Sequence, residues 1–300
     1  MTNLYFPIMS KQLPRLRDAF WRRGIRFGMA TSTAEMNSQA GDIFRYHAAQ
    51  IIPGDQMKMA VVEPVQGIFV HEQNDVMRGL CDSAHGHCLY WGQRFPAWLP
   101  DALSDATTAG RYAILETWIV ECMTHYSGWN SMDVINEGFT TGSHWLTYIG
   151  PESIPFALHT ARQAAPNVPI YYNGVFLGLP DERKAVLDLI DKGLLDGVGV
   201  QWHRVEGVDE TPWIPELVQF TRSCGLPIRM SEVTIKPKGN PAAHAEKWRE
   251  AVRVALEIEA IDFVQWGIQD SSDSWQGDSL MFDRAGKPKT AFWAVLDELK

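Results

Sequence analysis

Cysteine is scarce in this chain. Its four residues, Cys81, Cys88, Cys122 and Cys224, include no CxxC pair, which points away from a zinc ribbon or a thioredoxin-like site. The apolar surroundings of Cys88, Cys122 and Cys224 read as small buried thiols, and no disulfide is required. Any run of Lys and Arg is also missing. With 27 basic against 36 acidic residues and a net charge of -9, the chain lacks the basic footprint that nucleic acid demands. The pair Arg22-Arg23 reads as a solvated helix face. No stretch is long and apolar enough to span a bilayer, so no membrane partner is expected. The opening MTNLYFPIMSKQLPRLRDAF has no basic segment followed by the apolar one of a secretory signal. An extracellular or periplasmic place is expected if a signal was removed, a cytoplasmic one if Met1 is the native start. No low-complexity segment or linker divides the chain, so one domain over residues 1–300 is expected.

What is present is a globular composition, 45% apolar, with 12 Trp. So many indoles read partly as core and partly as a cleft of aromatic faces suited to sugar rings. Along the chain a short apolar β-type run, a turn and a longer helical pattern recur. The strands expected are Arg26 to Thr31, Gln50 to Gln56, Gly86 to Trp91, Met132 to Glu137, Ile170 to Val175, Gly197 to His203, Ile228 to Val233 and Phe263 to Ile268. Between them lie helix signals. From Ile114, the residues Leu115, Trp118, Ile119, Cys122, Met123 and Tyr126 form one stripe at helical spacing. Asp181 is a candidate N-cap for a helix ending near Gly193. Thr211-Pro212 and Asn240-Pro241 each set a capping residue before a Pro suited to a first turn. The last helix, from Thr290 to Lys300, buries Phe292, Val295, Leu296 and Leu299. Trp118 and Trp248 fall on such stripes and read as packing, as does Trp98 under the third loop.

Strands alternating with helices imply a parallel sheet, and eight repeats imply closure into a (β/α)8 TIM barrel. An open doubly wound sheet would carry a Gly-rich phosphate loop after an early strand, and RFGMATSTAEM is not one. In a closed barrel the chemistry sits at the carboxyl ends of the strands. Those ends read Lys58, Trp91, Asn136-Glu137, Gln201 with His203, Ser231-Glu232 and Trp266. Two Glu on one rim suit a retaining glycosidase, in which one carboxyl protonates the leaving oxygen and the other attacks the anomeric carbon. Their separation should be about 5–5.5 Å. Either Glu alone would read as a helix-terminal charge or a rim ion pair. Together, among amide and aromatic neighbours, they read as catalytic. The nine His offer no HxH after the first strand and no His/Asp cluster on the rim, so no metal is expected, and no cofactor is implied because acid–base and nucleophilic work on a glycosidic bond needs only the carboxyls.

The blocks QMKMAVVEPVQGIF, GHCLYWGQRFPAWL, MDVINEGF, GVGVQWH, MSEV, QWGIQDSSDSW and LMFDRAGKPKTAFWAV come in the order and rough spacing of one family. Along almost its whole length the chain resembles glycoside hydrolase family 10, the endo-β-1,4-xylanase family. The resemblance implies Glu137 as acid/base and Glu232 as nucleophile. It implies Asn136 as the partner of the sugar 2-hydroxyl and His203 as the histidine that holds the nucleophile, with Gln201 beside it. Lys58, His87 and Trp91 match the grip on the sugar before the cut, and Trp266 and Trp275 the aromatic walls. The expected substrate is a β-linked polysaccharide, most simply xylan.

The chain also departs from that pattern. Gly54-Asp55 stands where the family has Glu-Asn gripping the second sugar on the non-reducing side. Gly92 and Arg94 replace a His and a Gln, and Thr234 replaces the Asp that partners His203. The loop between Trp266 and Trp275 runs one residue longer. These changes fall on substrate grip and leave both carboxyls in place. They keep open a glucan, an exopolysaccharide or an aryl β-glycoside as substrate, and a sugar-binding barrel without catalysis as a reading from another class.

Overall fold

The computed structural model of the protein describes residues 13–139, 143–273 and 277–300. Eight strands follow one another: β1 (Arg26–Thr31), β2 (Gln50–Pro53), β3 (His85–Tyr90), β4 (Ser131–Asn136), β5 (Ile170–Gly174), β6 (Gly197–Val205), β7 (Ile228–Lys236) and β8 (Asp262–Gln265). They pair in parallel in the order β2-β1-β8-β7-β6-β5-β4-β3, and a parallel bridge between Ile51 and Ala84 brings the two ends together. The result is a (β/α)8 barrel. Every residue of β3, β4 and β5 is buried, as expected where opposite strands cover one face and helices the other.

The stripe from Ile114 belongs to the helix Thr108–His125, whose N-cap Thr107 accepts a hydrogen bond from the Gly110 N–H. Its Trp118 is fully buried and donates from Nε1 to the Leu89 carbonyl at 2.9 Å. Asn240 caps the helix Pro241–Glu257 through the N–H groups of Ala242 and Ala243. Two other caps fall elsewhere. The helix expected to start at Asp181 runs Pro180–Asp191, so Pro180 takes the first turn and Leu179 the cap position. Thr211 does not cap a helix either; the chain turns once more and Ile214–Cys224 begins after Trp213, with Pro215 in its first turn. In both cases a Pro sits where its missing N–H costs nothing. The last helix is Thr290–Glu298, with Phe292, Val295, Leu296 and Leu299 buried as expected. Trp248 is fully buried, and Trp98 packs on the core half-buried. All four cysteines carry free thiols.

Polar residues occupy the barrel interior as well. Arg229 on β7, 1% exposed, donates from Nε to Asp262 Oδ2 at 2.7 Å and from Nη2 to Gln50 Oε1 at 3.0 Å. Asp262 also accepts from Arg26 Nε at 2.8 Å. A buried charge needs such partners on every side, and β1, β2, β7 and β8 are thereby joined through their side chains. Register completes the frame for the rim: Asn136 pairs with Asn173, Gln201 with Glu232, and His203 with Thr234.

Candidate active site

A cavity of about 1000 Å³ opens at the carboxyl ends of the strands. Lys58, His87, Trp91, Asn136, Glu137, Gln201, His203, Glu232 and Trp266 all border it. Trp275 lies outside the described residues.

Glu137 is the first residue beyond β4, and its backbone is left-handed, with φ +51°. For a side chain with a Cβ that conformation costs about 1–2 kcal/mol, and such strain collects where geometry matters more than stability. The Glu137 N–H donates to the Asn173 carbonyl at 2.8 Å, which pins the turn. Two donors then hold the carboxyl: Trp91 Nε1 reaches Oε2 at 3.1 Å and Gln201 Nε2 reaches Oε1 at 2.9 Å.

Glu232, 5% exposed on β7, is held more tightly. Its Oε1 accepts from Asn173 Nδ2 at 2.7 Å, its Oε2 is 3.2 Å from His203 Nε2, and His87 Nε2 stands 3.7 Å from Oε1. Burial opposes the charge on this carboxyl. The His203 hydrogen bond and the positive fields of His87, His203 and Lys58 outweigh burial, and its pKa lies below the ordinary glutamate value. The two acids are also connected. Gln201 Nε2 serves Glu137 and lies 3.2 Å from Asn136 Oδ1. Asn173 Nδ2 serves Glu232 and lies 2.8 Å from the same Asn136 oxygen. With its carbonyl so committed, Asn136 keeps its NH2 as the group to offer a ligand hydroxyl.

His203 Nδ1 lies 2.8 Å from Thr234 Oγ1, so a hydroxyl stands where the pattern it resembles has a carboxylate. His87 stands at the head of a second relay. Its Nδ1 is 2.9 Å from Asp133 Oδ2, and its ring meets Trp266 edge-on, with centroids 4.9 Å apart. Burial opposes charge on Asp133, but the field and hydrogen bonds of His85 and His87 hold it well below the usual carboxylate range. Lys58, 3% exposed, donates from Nζ to Cys88 Sγ at 3.3 Å and lies 4.8 Å from the Trp91 ring centroid. Burial pushes the Cys88 thiol up to about 12, against the lowering field of Lys58, so that sulfur meets the ammonium as a neutral acceptor.

Sequence reasoning passed over Asn173, which is fully buried and binds both Asn136 and Glu232. Its Oδ1 accepts from Ser231 Oγ at 2.5 Å. Space for it comes from Gly199, where an added Cβ would sit 2.4 Å from that oxygen. The signal available was its place at the end of the fifth strand. Glu35 was passed over too; it borders the cavity and accepts from Ser32 Oγ at 2.8 Å. Among the described residues no group of three or more His, Cys, Asp or Glu is arranged to hold a metal ion.

A profile described as Glycosyl hydrolase family 10 matches residues 15–298. The chain belongs to that family. Family 10 relatives agree along most of the sequence. Endo-1,4-beta-xylanase B of Neocallimastix patriciarum is 30% identical over 238 residues, covering 72% of this chain and 27% of that protein. Endo-1,4-beta-xylanase A of Caldicellulosiruptor sp. (strain Rt8B.4) is 26% identical, over 97% of this chain and 48% of that protein. This family 10 chain thus spans about a quarter and about half of those two curated relatives. In fold it is similar to xylanase 10B from Thermotoga petrophila RKU-1, solved in complex with xylobiose, with a TM-score of 0.87 at 22% identity over 96% of this chain and 98% of that one. Xylanase B from Clostridium stercorarium F9 gives 0.84 at 23% identity, over 95% and 100%.

Proposed function

We propose that residues 1–300 form one catalytic domain, a retaining endo-β-1,4-glycanase that hydrolyses xylan or a closely related β-linked polysaccharide. The observation that carries this is the pairing of a buried, ionised Glu232 with Glu137 on one cavity, joined through Gln201, Asn136 and Asn173. In this reading the Glu232 carboxylate attacks the anomeric carbon. The glycosidic C–O bond breaks and Glu137 gives its proton to the departing oxygen. Glu137, now a carboxylate, takes a proton from water, whose oxygen attacks the same carbon and returns Glu232 to its ionised form. Asn136 offers its NH2 to the 2-hydroxyl, where a contact that tightens in the transition state counts most. Lys58, His87 and Trp91 hold the sugar before the cut, and Trp266 walls it. No step calls for a cofactor. The xylanase relatives and the xylobiose-bound neighbour support xylan as the substrate class.

The Asp55 and Arg94 departures favour a second reading, the same mechanism on a glucan, an exopolysaccharide or an aryl β-glycoside. The test is product analysis on a panel of xylan, arabinoxylan and cellulose derivatives, with the anomer of the first product followed by NMR. Glu232→Gln should abolish turnover and leave oligosaccharide binding. Undiminished hydrolysis by that variant would refute the assignment, and binding without hydrolysis by the native chain would favour a non-catalytic barrel.

A further inference from the structure

Two of the departures from the family pattern meet each other. Arg94 Nε donates to Asp55 Oδ1 at 2.8 Å, and Nη2 pairs with Oδ2. This bidentate ion pair joins the loop after β2 to the loop after β3, and both residues border the cavity that holds the two acids. The guanidinium stands on a fixed base. Arg94 is left-handed at φ +53°, and its carbonyl accepts from the Ala60 N–H at 2.9 Å, so main chain as well as side chain ties the two loops together.

Lys58 follows Asp55 by three residues on one loop, and Trp91 precedes Arg94 by three on the other. A sugar held between Lys58 and Trp91 therefore continues outward onto the ion pair. There it meets a carboxylate with both oxygens already bonded to a guanidinium. The guanidinium takes two of the carboxylate's roughly four acceptor sites and offsets the charge that would make the others strong acceptors for a sugar hydroxyl. A neutral hydroxyl replaces the guanidinium poorly, because charge-assisted bonds exceed neutral ones roughly twofold.

Resting on the function proposed above, we infer that the Asp55–Arg94 pair is a specificity determinant that limits recognition on the non-reducing side to one sugar. Binding then draws on the sugar at the cut and on those of the leaving portion. Substrates with a short glycone are cleaved nearly as well as long ones.

The test compares an aryl β-xyloside with the corresponding aryl β-xylobioside. In the native enzyme the second sugar should raise kcat/KM by no more than about tenfold, the worth of one ordinary hydrogen bond. Arg94→Gln removes the cation and keeps a side chain of similar length. It should raise the xylobioside-to-xyloside ratio by about a further tenfold as Asp55 becomes available. Arg94→Gln/Asp55→Ala should lose that gain. A native ratio of about a hundredfold or more, or a ratio that falls in Arg94→Gln, overturns the inference. Calorimetric affinities for the methyl xyloside and methyl xylobioside, read on the same proteins, separate the two proposals. The expected affinity pattern without hydrolysis sinks the hydrolase reading and leaves the role of the pair standing.

Discussion

Asn173→Ala is the substitution whose outcome depends most directly on the arrangement of the site. Asn173 is fully buried, stands behind the residues that line the cavity, and gives a 2.7 Å hydrogen bond to Glu232 Oε1. A hydrogen bond to a charged group contributes about 1.5–3 kcal/mol net. In the reading proposed here Glu232 loses its charge on forming the glycosyl-enzyme and regains it when that intermediate breaks down. Removing the donor therefore penalises breakdown, where a carboxylate must leave, more than formation. We expect kcat to fall by about 10- to 150-fold, the equivalent of that energy, and KM to fall with it as intermediate accumulates. Stopped-flow mixing with an aryl glycoside of good leaving ability should show a larger burst of aryl alcohol than the native enzyme gives. Asn173→Asp supplies a different signature. A second carboxylate beside Glu232 raises the pKa of one of the two, so the acidic limb of the pH–rate profile should move to higher pH. A folded Asn173→Ala variant with kcat within about threefold of native, below the effect of even a weak charged hydrogen bond, would refute the reasoning.

Two further expectations concern stability. His47 is buried, accepts the Leu16 N–H at Nδ1, and burial with the fields of Arg17 and Arg15 lowers its pKa to about 3. The unfolded chain takes up this proton below about pH 6.5 and the folded chain does not, so stability falls with acidification, by roughly 2 kcal/mol at pH 5. His47→Gln should shrink the difference between urea midpoints at pH 8 and pH 5, leaving the share of other histidines with lowered pKa such as His85, and an unchanged difference would count against it. Arg229→Leu leaves Asp262 and Gln50 short of a buried partner and should destabilise by about 3–5 kcal/mol in urea unfolding at pH 7. Much of that should return in Arg229→Leu/Asp262→Leu, and failure to recover would show that the pair stabilises beyond mutual compensation.

The barrel was legible because each strand is a short apolar run separated from the next by a helix with its own stripe. The boundaries moved by up to three residues: β2 stops at Pro53 and β8 at Gln265, whereas β7 continues to Lys236 because its outer half pairs with the long β6. Helix starts were less legible. Leu179 and Trp213 carry no capping side chain, and a Pro nearby does not say which residue precedes the first turn. The strand-end acids stood out because acids there are informative. Asn173 and Asp133 did not, since a buried amide or carboxylate matters only through what register places beside it. The meeting of Asp55 with Arg94 was illegible for the same reason: each was visible as a departure, and only the closed barrel brings β2 next to β3.

That closure has a weak point. Elsewhere neighbouring strands share ladders of several residues, whereas β2 and β3 touch through the bridge of Ile51 and Ala84, with the Ile51 N–H on the Ser83 carbonyl. The clasp of Asp55 and Arg94 crosses the same seam at its upper rim. Both partners of that clasp are about half exposed and such pairs add little to stability, so a chain that regained a longer sugar grip here would keep the seam through the Ala60 N–H on the Arg94 carbonyl.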